Sequence, residues 1–161
     1  MAILSSLQRL LEGRHIPHEV HAHRTAMTAA ELAAADHVPP SEVAKVVVLR
    51  SADRFLLAAL PATRHLDVER LRALVGDAKL RLATEPEFAD AFPECELGAI
   101  PPIGELFGVP LWVDDSLGRE AETVFSGGNH RETVHLAYRD FVRLAKPTFG
   151  SFSTHVPVSS H

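Results

Sequence analysis

The sequence predicts a single α+β domain, centred on a mixed β-sheet of about six to seven strands with flanking helices. Its 161 residues and 46% hydrophobic content suffice for one domain with a substantial core and are too few for two. Strand-like and helix-like segments alternate irregularly, without the regular βαβ order of a doubly wound sheet. No segment repeats another. We therefore expect one domain over residues 1–146.

The N-terminal part of the chain predicts two helices separated by a strand. Ser5–Gln8 has the spacing of a capping box, and leucines on one face continue that helix to Gly13. The next segment, "IPHEVHAH", alternates as a strand does. A second capping box, Thr28–Glu31, begins the alanine-rich helix "TAAELAAAD", which the following prolines end.

The middle of the chain predicts a buried hairpin followed by a helix. Val43–Arg50 and Arg54–Leu60 are rich in β-branched and aliphatic residues and are joined by "SAD". This pattern is typical of strands buried on both faces, so the hairpin is the predicted centre of the sheet. The helix runs from Asp67 as its N-cap to Gly76 as its end.

The second half predicts further strands and helices around a long loop. "KLRLA" predicts a short strand, and a third capping box, Thr84–Glu87, begins a helix that ends near Phe92. Cys95–Pro110 contains three glycines and three prolines and fits neither helix nor strand. After it, "PLWVDD", "ETVFSGG" and "ETVHLAY" predict strands, and "YRDFVRLA" predicts the last helix. Residues 147–161, rich in Ser, Thr, Pro and Gly, predict an irregular C-terminal tail.

Charge and composition exclude several classes of function. The formal net charge is −5 and no run of Lys and Arg is dense, so any RNA contact must be local. The single Cys95 excludes an intramolecular disulfide and a thiolate zinc site. No apolar run approaches about 18 residues, and the N-terminal segment lacks the pattern of a signal peptide. We expect a cytoplasmic protein with no membrane partner.

Lys45 stands out because it lies inside an apolar strand. In extended conformation it shares a face with Val47 and Leu49, and the opposite face is apolar as well. It could be a gatekeeper at a sheet edge or a snorkelling lysine. Alternatively, it could be a cation at the mouth of a cavity, placed to meet an anionic or carbonyl oxygen.

Two glycine-containing segments could approach a ligand through their backbone. Residues 98–102, Gly-Ala-Ile-Pro-Pro, could present rigid backbone N–H groups, or could be an ordinary surface loop. The glycines of "SGGNHRE" could form a hairpin turn or bulge. If that turn faces the same cavity, its residues become candidates for binding substrate: Ser126, Gly127, Gly128, Asn129 and His130.

The sequence gives little support to metal, cofactor or thiol chemistry. His21 and His23 would project from one strand face, but no carboxylate or further histidine completes a recognisable ligand pattern. Glu94 and Glu96 flank Cys95 and would raise the pKa of its thiol, which disfavours a nucleophilic role. The G-x-S-x-G, Walker and dinucleotide motifs are missing from the sequence. We expect neither a metal nor a cofactor.

Four segments in register resemble the YbaK/ProX family of aminoacyl-tRNA deacylases. These proteins are free-standing relatives of the editing domain inserted in bacterial prolyl-tRNA synthetases. The segments are "TAAELAAADHVPPSEVAKVVVLR", "FLLAALPATRHLDVERLRALVG", "ELGAIPPIG" and "FSGGNHRETVHLAYRDFVRL", within Ile16–Lys146. The resemblance implies a curved mixed sheet. It also implies hydrolysis, in trans, of the ester that joins a wrong amino acid to the terminal adenosine of tRNA.

The same resemblance implies a set of site residues. Lys45 matches the functional lysine of the family, and Gly98 with Pro102 matches its Gly-x-x-x-Pro substrate loop, so Lys45 and Gly98 are the expected catalytic residues. The expected substrate-binding residues are Ala99, Ile100, Pro101, Pro102, Ser126, Gly127, Gly128, Asn129 and His130. Val46 follows the lysine where many relatives have Thr or Asn, so a polar contact of those relatives is missing.

An aminoacyl ester is already activated, so a positioned water and a stabilised oxyanion can suffice for its hydrolysis. A small pocket that admits Ala or Cys excludes larger side chains. The expected substrate is therefore a small mischarged amino acid, and the resemblance implies tRNA(Pro) as its carrier. The expected partners of this monomer are the tRNA acceptor end and prolyl-tRNA synthetase. Candidate tRNA contacts are Arg24, Arg64, Arg131 and Arg139.

Two other functions stay open at this level. The protein could bind aminoacyl-tRNA or a synthetase without hydrolysis, which the missing polar neighbour at Val46 favours. It could instead be a hydrolase or sensor for another small amino-acid ester, which the acidic net charge favours over a tRNA ligand.

Overall fold

The computed structural model describes residues 2–52 and 54–155, which form five α-helices and ten strands. The helices are α1 (Ser5–Gly13), α2 (Ala29–Ala35), α3 (Val68–Val75), α4 (Glu85–Ala91) and α5 (Tyr138–Ala145). The strands are β1 (Glu19–Ala22), β2 (Ala44–Ser51), β3 (Arg54–Pro61), β4 (His65–Leu66), β5 (Arg81–Leu82), β6 (Leu111–Asp114), β7 (Glu122–Ser126), β8 (Glu132–Ala137), β9 (Thr148–Gly150) and β10 (Ser153–Thr154). The α+β class is confirmed, and every predicted strand forms.

The strands divide between three sheets rather than one. The largest is mixed and five-stranded, in the order β5-β2-β3-β6-β9, with β3 at its centre. The predicted hairpin is confirmed, because β2 and β3 pair antiparallel along their whole length, with Lys45 opposite Leu60. The other two sheets are antiparallel: β1-β8-β7 and β10-β4.

The two larger sheets meet at the beginning of β2. Val43, which precedes that strand, forms an isolated parallel bridge with Val124 of β7. The backbone carbonyl of Val43 also accepts a hydrogen bond from Ala62 N at 2.9 Å, just beyond β3. The start of β2 is therefore a junction between sheets, where side chains can face a space that neither sheet fills.

The hairpin is buried on both faces, as its aliphatic composition predicts. Val47 and Leu49 pack with α3 in one hydrophobic cluster, while Ala44 and Val48 pack with α1 and α5 in another. Burial of each large aliphatic side chain stabilises the fold by about 1.5–3 kcal/mol. This rigid hairpin fixes the position of Lys45.

The helix ends show which capping predictions hold. Thr28 and Glu31 form the reciprocal capping box of α2, and Glu87 accepts hydrogen bonds from the backbone N–H and hydroxyl of Thr84 before α4. The predicted box at Ser5 is wrong: the N-cap of α1 is Leu4, and no side chain caps it. A tertiary contact holds this end instead, since Leu4 N donates to Gly127 O at 2.8 Å.

The prediction of an irregular tail is wrong for Thr148–Thr154. There β9 pairs parallel with β6, and β10 pairs with β4. Phe152 between them is fully buried, and its N–H donates to Asp114 Oδ1 at 2.8 Å. This core contact orders a segment whose composition alone favours irregular structure. Residues 156–161 of the predicted tail lie outside the described residues.

No helix in the described part of the chain combines the length and apolar character needed to cross a membrane.

Candidate active site

A cavity of about 340 Å³ opens at the junction of the sheets, between the start of α2, the start of β2, residues 98–100 and the end of β7. It brings together five of the residues predicted from the sequence, although they come from separate parts of the chain. These residues are Lys45, Gly98, Ile100, Ser126 and His130. The other predicted residues, Ala99, Pro101, Pro102, Gly127, Gly128 and Asn129, do not line it.

Lys45 provides the positive charge of the cavity. It is half-buried, and burial lowers the pKa of its ammonium group below that of a lysine in water. Within residues 2–52 and 54–155, its side chain has no hydrogen-bond or ion-pair partner. A half-buried cation without a carboxylate partner favours the binding of an anionic or carbonyl oxygen. The structure thus places Lys45 at a cavity rather than at an exposed sheet edge.

Gly98 lies at the rim with a backbone conformation that suits glycine. Its φ is +85°, in the left-handed region that residues with a Cβ rarely adopt. The N–H groups of Gly98 and Ile100 donate no hydrogen bond to the described protein, and both residues line the cavity. These two N–H groups are the backbone donors that a bound carbonyl could accept from.

The segment after Gly98 is not an ordinary surface loop. Ala99 is fully buried, and Pro101 and Pro102 are buried as well. Ile100 faces the cavity and also packs into the core cluster of the five-stranded sheet. Ala99, Pro101 and Pro102 therefore anchor the segment and hold the Gly98 and Ile100 backbone in place.

His130 joins two walls of the cavity. Its Nδ1 lies 3.1 Å from Ala26 O and its Nε2 lies 2.6 Å from Leu97 O, so both ring nitrogens face carbonyl oxygens. A neutral imidazole can donate to only one of them, whereas the protonated ring donates to both. The backbone N–H of His130 also donates to Glu96 Oε1 at 2.8 Å. His130 therefore positions the Gly98 segment as well as lining the cavity.

Ser126 and Met27 also line the cavity. Ser126 is half-buried at the end of β7, and its hydroxyl has no partner in the described part of the chain. Met27 is 59% exposed at the rim, where its flexible apolar side chain can contact a ligand.

The turn residues Gly127, Gly128 and Asn129 contact the N-terminal segment instead of the cavity. A Cβ on Gly127 would lie 2.5 Å from Ile3 Cγ2, and one on Gly128 would lie 3.2 Å from Leu4 Cβ. Asn129 Nδ2 donates to Ala2 O at 3.3 Å. These contacts favour the structural alternative for the turn, and substrate contact by the three residues stays a prediction.

Val46 separates the cavity from a second, apolar one of about 290 Å³. Gly98 and Ile100 border both spaces, and Leu82 and Phe88 line only the second. The Val46 side chain gives the shared wall an apolar surface.

Cys95 is not a candidate nucleophile for this cavity. It does not line the cavity, and burial together with the carboxylate of Glu94 raises the pKa of its thiol to about 11. The predicted direction is confirmed, although burial is the larger cause. A thiol that stays protonated at neutral pH is a poor nucleophile.

The candidate tRNA contacts differ in their surroundings. Arg24 and Arg139 are exposed, and Arg24 lies two residues before the cavity-lining Ala26. Arg64 is engaged by the C-terminal segment, since its Nη2 donates to Ser153 O at 3.1 Å. Arg131 is exposed and also interacts within the protein.

Sequence reasoning missed the small residues that make the space. Small side chains line the cavity near the start of α2, at the start of β2 and just after β3. They are Ala26, Thr28, Ala29, Ala30, Ala44 and Ala62. The clustered alanines beside the Thr28 capping box were the available signal. Short side chains at these positions leave room for a ligand next to Lys45.

The chain matches the family of aminoacyl-tRNA editing domains over residues 23–144. This range includes every residue that lines the cavity. The chain belongs to the aminoacyl-tRNA editing domain family.

Relatives of the editing domain include proline–tRNA ligases. The enzyme of Thermosipho africanus is 32% identical over 68 residues, which are 42% of this chain and 12% of the ligase. The enzyme of Heliobacterium modesticaldum is 28% identical over 112 residues, which are 67% of this chain and 19% of the ligase. The matched region thus spans less than a fifth of either ligase.

Solved structures share the fold of the editing domain. A candidate trans-editing enzyme for prolyl tRNA synthetase has a TM-score of 0.80 and 23% identity, with coverage of 95% of this chain and 99% of its own. The hypothetical protein APE2540 has a TM-score of 0.82 and 20% identity, with coverage of 92% and 99%. At such identity, the likeness establishes the fold alone.

Proposed function

We propose that this editing domain is a trans-acting aminoacyl-tRNA deacylase. It hydrolyses the ester between a mischarged small amino acid, of the Ala or Cys class, and the terminal ribose of tRNA(Pro). The observation that carries the proposal is the cavity, where Lys45 and the backbone N–H groups of Gly98 and Ile100 lie together without a partner among residues 2–52 and 54–155. Family membership supports the reaction class.

The proposed chemistry needs no side-chain nucleophile. Water attacks the ester carbonyl carbon, and the developing oxyanion accepts hydrogen bonds from the N–H groups of Gly98 and Ile100. The bond from the carbonyl carbon to the ribose oxygen then breaks. The ribose hydroxyl regains a proton, and the free amino acid leaves as its carboxylate. The vicinal ribose hydroxyl of the substrate is the group that the family resemblance implies as an aid to this transfer.

Lys45 acts electrostatically in this scheme. Its ammonium group neutralises the terminal phosphate or the carbonyl oxygen of the substrate and holds the ester against the backbone donors. Loss of a single preorganised charge or donor of this kind typically costs 10²–10³ in rate, an order-of-magnitude guide for Lys45.

The volume of the cavity determines which acyl groups can bind. A volume of about 340 Å³ accommodates a small aminoacyl group with part of the ribose, and Val46 and Ile100 are among the apolar residues that line it. Steric exclusion of larger side chains is effective, whereas a single methylene gives only about 1–3 kcal/mol of discrimination. The proline–tRNA ligase relatives support tRNA(Pro) as the carrier and prolyl-tRNA synthetase as a partner. We propose that the protein acts in the cytoplasm. We propose a monomer.

The test is deacylation of a panel of aminoacyl-tRNAs, including Ala-, Cys- and Pro-tRNA(Pro). Release of Ala or Cys by the wild type, lost in Lys45→Ala and kept in the exposed control Lys79→Ala, supports the proposal. Binding of charged tRNA without turnover would select a non-catalytic binding protein. Hydrolysis of free amino-acid esters but of no charged tRNA would select another ester hydrolase. Either of these outcomes overturns the proposal.

A further inference from the structure

Three potential ligating side chains converge outside the cavity, at the edge of the three-stranded sheet. They are His21 on β1, Asp36 directly after α2, and His135 on β8, and their ligating atoms lie within 4.8 Å of one another. The two imidazole rings stack with centroids 3.7 Å apart. His135 Nε2 lies 2.6 Å from Asp36 Oδ2, and His21 Nδ1 lies 3.5 Å from Asp36 Oδ1.

We propose that His21, Asp36 and His135 bind a divalent transition-metal ion such as Zn²⁺. Two imidazole nitrogens and one carboxylate form a ligand set that suits zinc, with a fourth position open to water. Zn–N and Zn–O bonds of about 2.0–2.2 Å place tetrahedral ligand atoms about 3.3–3.6 Å apart. The separation of 3.5 Å from His21 Nδ1 to Asp36 Oδ1 fits that range, whereas the separation of 2.6 Å from His135 Nε2 to Asp36 Oδ2 is shorter. Metal binding therefore requires the two stacked imidazole rings to rotate until both nitrogen lone pairs point at one ion.

Neighbouring residues form hydrogen bonds that orient the three ligands, as the residues around known zinc sites do. Glu19 Oε1 lies 2.9 Å from His21 Nε2 and can accept a hydrogen bond from the N–H of that nitrogen, which leaves Nδ1 free to bind the metal. The Thr133 hydroxyl donates to Asp36 Oδ2 at 2.6 Å. The Asp36 side chain is only 4% exposed, so a cation beside it would offset the cost of burying its carboxylate.

The proposed metal would connect the end of α2 to both β1 and β8. Because the start of α2 lines the cavity, the metal would also stabilise one cavity wall. The proposed role of the metal is structural. The metal-site proposal does not depend on whether the cavity hydrolyses aminoacyl-tRNA.

The experiment measures Zn²⁺ binding to EDTA-treated protein by calorimetry and by thermal unfolding. The expected result is one tight site per chain. At about one hundred times Kd, the expected rise in Tm is about 5 °C or more. Co²⁺ should give the visible absorption of a tetrahedral site, and Mg²⁺, which prefers oxygen ligands, should shift nothing.

Variants locate the site. His21→Ala, in a side chain that is 40% exposed, should fold and weaken Zn²⁺ binding at least about tenfold, as should His135→Ala. Because the chain has ten histidines, the control removes an exposed histidine outside the site, in His15→Asn. Asparagine tolerates the positive φ of that position. The proposal is overturned if wild type gains no stability from Zn²⁺, or if His21→Ala binds it as tightly as His15→Asn does.

Discussion

Gly98→Ala tests whether the backbone at the cavity rim takes part in the reaction. The substitution places a Cβ at a φ of +85°, which costs about 1–2 kcal/mol. The new methyl group would lie 3.5 Å from His130 Cε1 and 3.7 Å from Met27 O, which are ordinary contacts, so the strain comes from the backbone alone. We expect the Tm to fall by about 2–8 °C.

Relief of that strain rotates the peptide units around residue 98 and moves the N–H groups of Gly98 and Ile100. Misplacement of a catalytic group by about 1 Å can cost about 10²-fold in rate. We therefore expect kcat/KM for deacylation to fall about tenfold to hundredfold. The assay is release of labelled amino acid from charged tRNA, with unfolding followed by circular dichroism.

Gly76→Ala is the matched control, because Gly76 has a φ of +78° at the end of α3, and a Cβ there meets nothing within 4 Å. It should lose comparable stability and keep full deacylation. Equal activity of the two variants would refute a role for the Gly98 backbone in the reaction.

Three further predictions follow from the contacts of single residues. Burial alone raises the pKa of Asp114, but hydrogen bonds from Ser116, Phe152 and Ser153 outweigh it and hold that pKa below its usual value. The stability that ionised Asp114 gives to the fold is therefore present above the unfolded pKa of about 3.9. It is lost as pH falls through the lower pKa of the folded state. Asp114→Asn should cost about 1–3 kcal/mol at pH 7 and flatten this acid dependence in urea titrations; an unchanged profile would contradict it. Gly127→Ala should cost about 1–3 kcal/mol, because the new Cβ would lie 2.5 Å from Ile3 Cγ2, while kcat stays within about twofold. Cys95→Ser should leave the deacylation rate unchanged across neutral pH, since the pKa of the thiol is about 11; a loss of rate would restore the thiol to the mechanism.

Local patterns predicted much of the fold. The aliphatic runs of β2 and β3, and the capping box at Thr28, depend on neighbours in the sequence, so both could be identified there. Contacts between distant segments could not. The N–H of Leu4, at the start of α1, donates to the distant Gly127 O. The buried side chain of Phe152 orders two strands in a segment whose composition favours irregular structure.

The same distinction applies to the candidate site. The position of Lys45 in an apolar strand was visible in the sequence, and the family resemblance predicted a catalytic role for Gly98. The structure adds that His130 holds the Gly98 segment through Leu97 O, while Gly127 packs against Ile3. Sequence spacing paired His21 with His23, whereas tertiary structure brings His21 to His135.

The proposed function depends on the catalytic role of the Lys45 charge, which has no partner in the described part of the chain. Its most direct test is the single-turnover rate of alanine release from Ala-tRNA(Pro) at saturating enzyme, for wild type, Lys45→Met and Lys79→Met. Methionine keeps the apolar stem and removes the charge. We predict that the Lys45→Met rate falls about 10²–10³-fold while the Lys79→Met rate matches wild type. Equal rates for all three proteins would contradict a catalytic role for the Lys45 charge.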